Sequence, residues 1–346
     1  MIKNFLLVIV STLITLLFVE VVLRFYYADY LYTGSHARSL YYSYPNLTMT
    51  EDNRSVHYQP NTPIRSVTVY FNQVEYDTHH HANNFGFLSD ENYTKEDKKG
   101  VVFLGDSFTA GVGSTTPYIP KLNKKYKGIN LYSFGVTGTG IWNFYNTFNT
   151  FKDKLNFDTV VIMSISDDLR RHPWYPDNQN NALYFCFDEN IASHTCKHPQ
   201  KTARLIALEQ DTSALLKPDD IYIYKAYTVL KKKYNDRNKP KQEAHRSVLL
   251  TGLNYDMTYI KKIKSLADKL HKKVIFMHIP EKREALAGQY RCSVQKDMEN
   301  LGIEYHPLLT EYHFDESMYH KHDGHPNDKG YAYLSSIIEE ILKLNK

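Results

Sequence analysis

Two short segments of this chain carry residues suited to nucleophilic chemistry. The first is GDSFTAG, Gly105 to Gly111, which follows directly on the apolar run VVFL. In open parallel sheets ligands gather at the carboxyl ends of strands, where helix N-termini aim backbone N–H groups at developing negative charge. Ser107 stands at such a junction. Asp106 and Thr109 can hydrogen-bond the tight turn, while Gly105 and Gly111 permit backbone conformations and close approaches that side chains block. A serine at a strand-to-helix junction also serves as a plain helix cap, so Ser107 alone does not decide between the two. The second segment is HDGHPNDKG, His322 to Gly330. A nucleophilic serine needs a base to take its proton, and the base needs a third group to fix its tautomer and stabilise the imidazolium. Asp323 and His325 lie two apart in one loop and can supply both, with Pro326 stiffening the turn. His322 is a competing base or a bystander.

These segments need a scaffold, and the chain from Gly100 onward has the pattern of one. Short apolar runs bounded by turn residues alternate with stretches of helical period, the order expected of a parallel sheet with helices on its faces. The predicted strands are VVFLGD at 101, INLYSFG at 129, TVVIMSI at 159, KVIFMHI at 273 and IEYHPL at 303. Continuous apolar runs mark buried parallel strands. Within 254–271, Tyr259, Ile260, Ile263, Leu266, Ala267 and Leu270 recur at helical spacing, with lysines opposite. Tyr331, Leu334, Ile337, Ile338 and Ile341 do the same from an Asn327-Asp328 start. Between the third and fourth strands lie about a hundred residues, too many for a bare crossover, so an inserted cap is expected at about 170–270. Its basic run from Lys231 reads as a solvated helix end and loop.

The first residues set the compartment. From Phe5 to Leu23 the sequence FLLVIVSTLITLLFVEVVL is apolar with one charge, the length one helix needs to cross the hydrocarbon layer. No small-residue cleavage site follows before Arg24, so an uncleaved anchor is expected over residues 1–25. A short basic N-terminus before a long domain favours N-in, C-out, which in a bacterium places the domain on the periplasmic face of the inner membrane. Glu20 and Arg24 are spaced to pair on one helix face. Residues 26–98 are polar, tyrosine-rich and irregular; they read as a linker and N-terminal addition with one strand, SVTVYFNQVEY, at 66–76. Residues 99–346 form the main domain.

Composition excludes several classes. The 346 residues, 42% of them apolar, can bury a substantial core. A net charge of +4, from 42 basic and 38 acidic residues, is far from the concentrated positive field nucleic acid binding needs. The 29 tyrosines suit carbohydrate stacking or a wet aromatic surface, and compositional drift also produces them. Three cysteines show no metal-ligand spacing. Cys186 and Cys196 can close a small loop in an oxidising compartment, leaving Cys292 as a small buried hydrophobe. His79, His80 and His81 cannot all face one ion from a strand, because side chains alternate faces. No metal and no cofactor are expected.

Taken together, the two segments resemble the SGNH, or GDSL-type, hydrolase family in its membrane-anchored bacterial kind. GDSFTAG is similar to the family's nucleophile block and DGHPN to its C-terminal block, in which Asp and His complete the triad. The resemblance implies a three-layer α/β/α, flavodoxin-like fold with a five-stranded, mostly parallel sheet. It also implies that SFGVTGTG supplies an oxyanion-hole glycine, Gly138, with Gly135 as the alternative. The third block normally reads Gly-x-Asn-Asp; here Ile165, Ser166, Asp167 and Asp168 stand there. The family's Asn donates to the oxyanion, whereas an ionised Asp167 only accepts. Asp167 kept protonated, the Ser166 hydroxyl, or the Ser107 and Gly138 amides alone are three ways to complete the hole. By resemblance the chain is an esterase or O-acyltransferase whose substrate is an acylated, above all acetylated, envelope glycan or lipid. A non-catalytic glycan-binding or assembly protein of the same fold is the rival reading.

Overall fold

The computed structural model describes residues 2–26, 55–70, 73–171 and 255–344, with short pieces between 38 and 49 and between 173 and 234. The chain divides into two compact units, residues 1–39, 68–75 and 208–247 in one and residues 40–67, 76–207 and 248–346 in the other.

The larger unit is built on five strands: β1 (Gly100–Gly105), β2 (Asn130–Gly135), β3 (Thr159–Ser164), β4 (Lys273–His278) and β5 (Glu304–Pro307). Their order is β2-β1-β3-β4-β5 and every pairing is parallel. These are the five strands expected from the apolar runs. In register, Val102, Val160 and Val274 form one row and Leu104, Ile162 and Phe276 the next.

Period-two alternation sends the strand residues to opposite faces. Val102, Leu104, Val160, Ile162 and Phe276 meet Trp142, Phe144 and Phe148 of the helix Ile141–Phe151, and Ile260, Ile263 and Ala267 of the helix Thr258–Lys269. Val101, Phe103, Val161, Met163 and Met277 meet Ile119 and Leu122 of the helix Tyr118–Lys125, and Leu334, Ile337 and Ile338 of the C-terminal helix Asp328–Ile341. The result is three α/β/α layers. Burying each large apolar side chain contributes about 1.5–3 kcal/mol, so truncating the fully buried Phe276 of β4 costs about 3–5 kcal/mol.

Within the stretch read as a linker and N-terminal addition, residues 55–67 and 76–98 pack into the core of the larger unit. Val56, Tyr58, Phe87, Leu88 and Tyr93 lie in the same core as Phe134 and Phe151. Asn143 accepts from the Val56 N–H at 2.7 Å and donates to its carbonyl at 3.0 Å, clamping the segment to a domain helix. Tyrosine made the stretch look polar, yet Tyr58 is fully buried with its hydroxyl 2.9 Å from Thr137 Oγ1. The strand expected at 66–76 is two neighbouring strands, Pro63–Tyr70 and Gln73–His81, because an alternating run does not mark where one strand ends and the next begins. In the second of these His79 and His81 are exposed and His80 is half-buried, the alternation a strand imposes.

In the smaller unit the helix Ile2–Tyr26 is long and apolar enough to cross a membrane or act as a signal sequence. Its Ser11, Thr12 and Thr15 hydroxyls donate to carbonyls one turn back at 2.8–3.0 Å, which satisfies their polarity within the helix. Glu20 pairs with Arg24 at 3.2 Å. The expected cap at 170–270 falls largely outside the described residues, as does Cys196. Cys292 is buried and unbridged.

Candidate active site

β1 delivers Ser107 and the turn around it. Asp106 Oδ1 accepts from the Phe108 N–H at 2.8 Å and so caps the short helix Ser107–Ala110. A Cβ on Gly105 would stand 1.8 Å from Thr109 Oγ1, and one on Gly135 would stand 2.2 Å from the Ala110 nitrogen. Both glycines therefore serve the packing of this helix against the strand ends. Gly138, farther along the loop after β2, has φ of 72°.

The C-terminal segment meets it. Ser107 Oγ lies 2.8 Å from His325 Nε2, and His325 Nδ1 lies 2.6 Å from Asp323 Oδ1. Asp323 Oδ1 also accepts the His325 N–H at 3.1 Å, which fixes the two residues to each other. The ring of Phe108 packs 5.1 Å from that of His325. It is His325, not His322, that meets the serine. Three contacts lock the loop after Ser107 to residues in and beside this segment: Tyr331 OH to Val112 O at 2.9 Å, His320 Nε2 to Gly113 O at 2.9 Å, and Asp328 Oδ1 accepting the Thr115 N–H at 2.8 Å.

Burial pushes the Asp323 carboxyl up, but the His325 charge and the hydrogen bonds it receives outweigh this and hold it well below the usual carboxylate range. Burial likewise lowers the His325 imidazole, and the Asp323 charge outweighs it, leaving the ring more basic than an ordinary histidine.

Residues that the sequence did not single out complete the surroundings. Tyr76 OH donates to Asp323 Oδ2 at 2.9 Å. Arg171 Nη1 reaches Asp106 Oδ2 at 2.8 Å, Thr139 O at 2.8 Å and Asp168 Oδ1 at 2.6 Å, joining the turns after β1, β2 and β3. Asp106 Oδ2 is in turn 3.3 Å from Ser107 Oγ. Burial and the nearby Asp106 charge push the Asp168 carboxyl well up, against the pull of Arg171. The three-residue spacing of Asp168 and Arg171 was the one available signal.

The third-block residues face elsewhere. Asp167 lies 2.6 Å from Arg291 and 2.9 Å from Arg283. Burial raises its carboxyl, and Arg291, Arg171 and Arg283 together outweigh that and hold it below its ordinary value. Of the three ways to complete the hole, a protonated Asp167 is the one this arrangement does not favour: the carboxylate is paired with Arg283 and Arg291. Ser166 is fully buried and donates its hydroxyl to Glu284 Oε1 at 2.6 Å, with His278 Nε2 at 3.1 Å.

No protein-family model matches the sequence, and no curated protein does. Solved structures with a similar arrangement include the lipase/acylhydrolase from Enterococcus faecalis, at 11% identity and TM-score 0.36 over 71% of this chain and 95% of that one. A putative lipolytic protein of the G-D-S-L family from Desulfitobacterium hafniense matches at 12% identity and TM-score 0.34 over 70% of this chain and 99% of that one. A putative acylhydrolase from Bacteroides fragilis matches at 13% and 0.35 over 73% and 91%. At these scores the chemistry assigned to this chain rests on its own side-chain geometry.

Proposed function

We propose that this chain is a serine esterase that removes acyl groups, acetyl above all, from an envelope glycan or lipid through an acyl-enzyme. The observation that carries the reading is the unbroken run of contacts from Ser107 Oγ through the His325 ring to Asp323, at 2.8 and 2.6 Å. In the proposed reaction Ser107 Oγ attacks the acyl carbonyl while His325 Nε2 takes its proton. Asp323 holds the ring by Nδ1 and stabilises the imidazolium, which then protonates the leaving alcohol. Water, activated by His325 in the same way, releases the acid.

The oxyanion donors in this reading are the amides of Ser107 and Gly138. Ser107 opens its helix, so its N–H has no carbonyl partner within it. Loss of one oxyanion donor lowers turnover about a hundred- to thousandfold, so the absence of the third-block Asn predicts a slow enzyme.

The apolar N-terminal helix is read as a retained inner-membrane anchor with the catalytic unit on the periplasmic side. Retention is favoured by Glu20, which accepts the Tyr222 and Ile223 N–H groups at 2.9 Å each and so ties the helix to a distant part of its own unit.

A second reading, acyl transfer to a sugar hydroxyl, draws on the burial of the reacting groups: Ser107 is 4% and His325 8% exposed, which restricts water at the acyl-enzyme. Turnover of p-nitrophenyl acetate by the detergent-solubilised chain, with and without a sugar acceptor, separates the two. Absence of both turnover and fluorophosphonate labelling would overturn both and leave the non-catalytic, glycan-binding reading.

A further inference from the structure

We infer that the helical positions within 222–234 form a second membrane contact, lying in the lipid headgroup layer beside the end of the N-terminal helix. The inference rests on the anchor reading and adds a surface to it. Tyr222 is buried, its ring 5.0 Å beneath the Arg24 guanidinium, and its N–H and that of Ile223 are held by Glu20. Glu20 and Arg24 belong to the last turns of the apolar helix, so this contact fixes the segment where a spanning helix leaves the hydrocarbon layer.

The described residues on the other side of the segment are exposed and mostly aromatic or apolar. Tyr224, Tyr227, Leu230 and Tyr234 are 65, 56, 65 and 68% exposed. At 3.6 residues per turn these four and Lys231 fall within about a third of the helix circumference, with Tyr222 on the opposite side. The composition of that arc fits one surface. Tyrosine, with an apolar ring and a polar tip, concentrates at membrane–water interfaces, and lysine lays its stem along apolar surface while its charge reaches the phosphates. Lys231 stacks over the Tyr227 ring at 5.7 Å and opens a run of three lysines in the sequence, which favours an anionic lipid surface.

The test uses the full chain with Tyr227→Trp, reconstituted in vesicles of phosphatidylglycerol and phosphatidylcholine. Flotation with the vesicles reports the anchor. The emission that the introduced indole adds to the parent spectrum should be blue-shifted, quenched about twofold by lipid brominated near the headgroup, and insensitive to aqueous iodide. A chain that floats but whose added emission is solvent-like and iodide-quenched overturns the inference and spares the anchor. Protection that rises with the protein-to-lipid ratio assigns the face to a second copy and also overturns it. A chain that does not float removes the anchor reading, and the inference with it.

Discussion

Tyr76 donates a 2.9 Å hydrogen bond to Asp323, a residue 247 positions away. The contact gives the carboxylate's second oxygen a partner while the first holds His325. Tyr76→Phe should leave the fold intact and lower kcat/KM for p-nitrophenyl acetate. A hydrogen bond to a charged group is worth about 1.5–3 kcal/mol, so a loss of about ten- to hundredfold is expected. An unchanged rate would mean that Asp323 is held well enough by His325 alone.

Ser107→Ala should abolish turnover and fluorophosphonate labelling while leaving the melting temperature nearly unchanged. Asp323→Asn should lower kcat about ten-thousandfold by stabilising the wrong tautomer of His325. Retained labelling in Ser107→Ala would place the nucleophile elsewhere.

The pH profile follows from the direction of the His325 shift. Because the imidazole is more basic than an ordinary histidine, kcat/KM should rise with pH through a midpoint above the usual value of 6.5. The same shift acts on stability: the protonated His325–Asp323 pair stabilises the fold fully below the unfolded histidine value, and that contribution is lost as pH rises through the raised one. For Asp323 the sign is opposite, with stability present above the unfolded carboxylate value and lost as pH falls towards the depressed one. Rate and melting curves from about pH 5 to about pH 9, spanning the usual range of histidine titration, check both.

Arg171→Gln leaves two neighbouring buried carboxyls without their cation. Breaking such a pair costs about 3 kcal/mol, seen in denaturant melts. Since the Arg171 charge also opposes protonation of His325, the midpoint of kcat/KM should move up in the variant and return with Arg171→Lys. A lower melting point with an unmoved pH midpoint would make Arg171 purely structural.

Asp167→Asn places at this position the residue type of the third block that the sequence resembles. With the side chain facing Arg283 and Arg291, turnover should change by less than about threefold, against the roughly hundredfold or greater gain that a restored oxyanion donor brings. A large rise would show that residue 167 swings into the hole.

The five strands, two of the four flanking helices, the strand-to-helix junction at Ser107 and the Asp323–His325 loop were all legible in the sequence. Strand and helix periodicity, apolar burial and turn chemistry are local properties, and each leaves its mark within about a dozen residues. The apolar N-terminal helix was legible for the same reason. Other features were decided by tertiary structure. Nothing in the polar, tyrosine-rich stretch before residue 98 shows that Tyr58 and Phe87 fill the core or that Tyr76 reaches Asp323, because a tyrosine reads alike whether its ring faces water or a sheet. The role of Asp167 was equally hidden. Whether a carboxyl is a protonated donor or an ionised arginine partner depends on the charges within a few ångströms of it, and Arg283 and Arg291 come from beyond β4, more than a hundred residues along the chain.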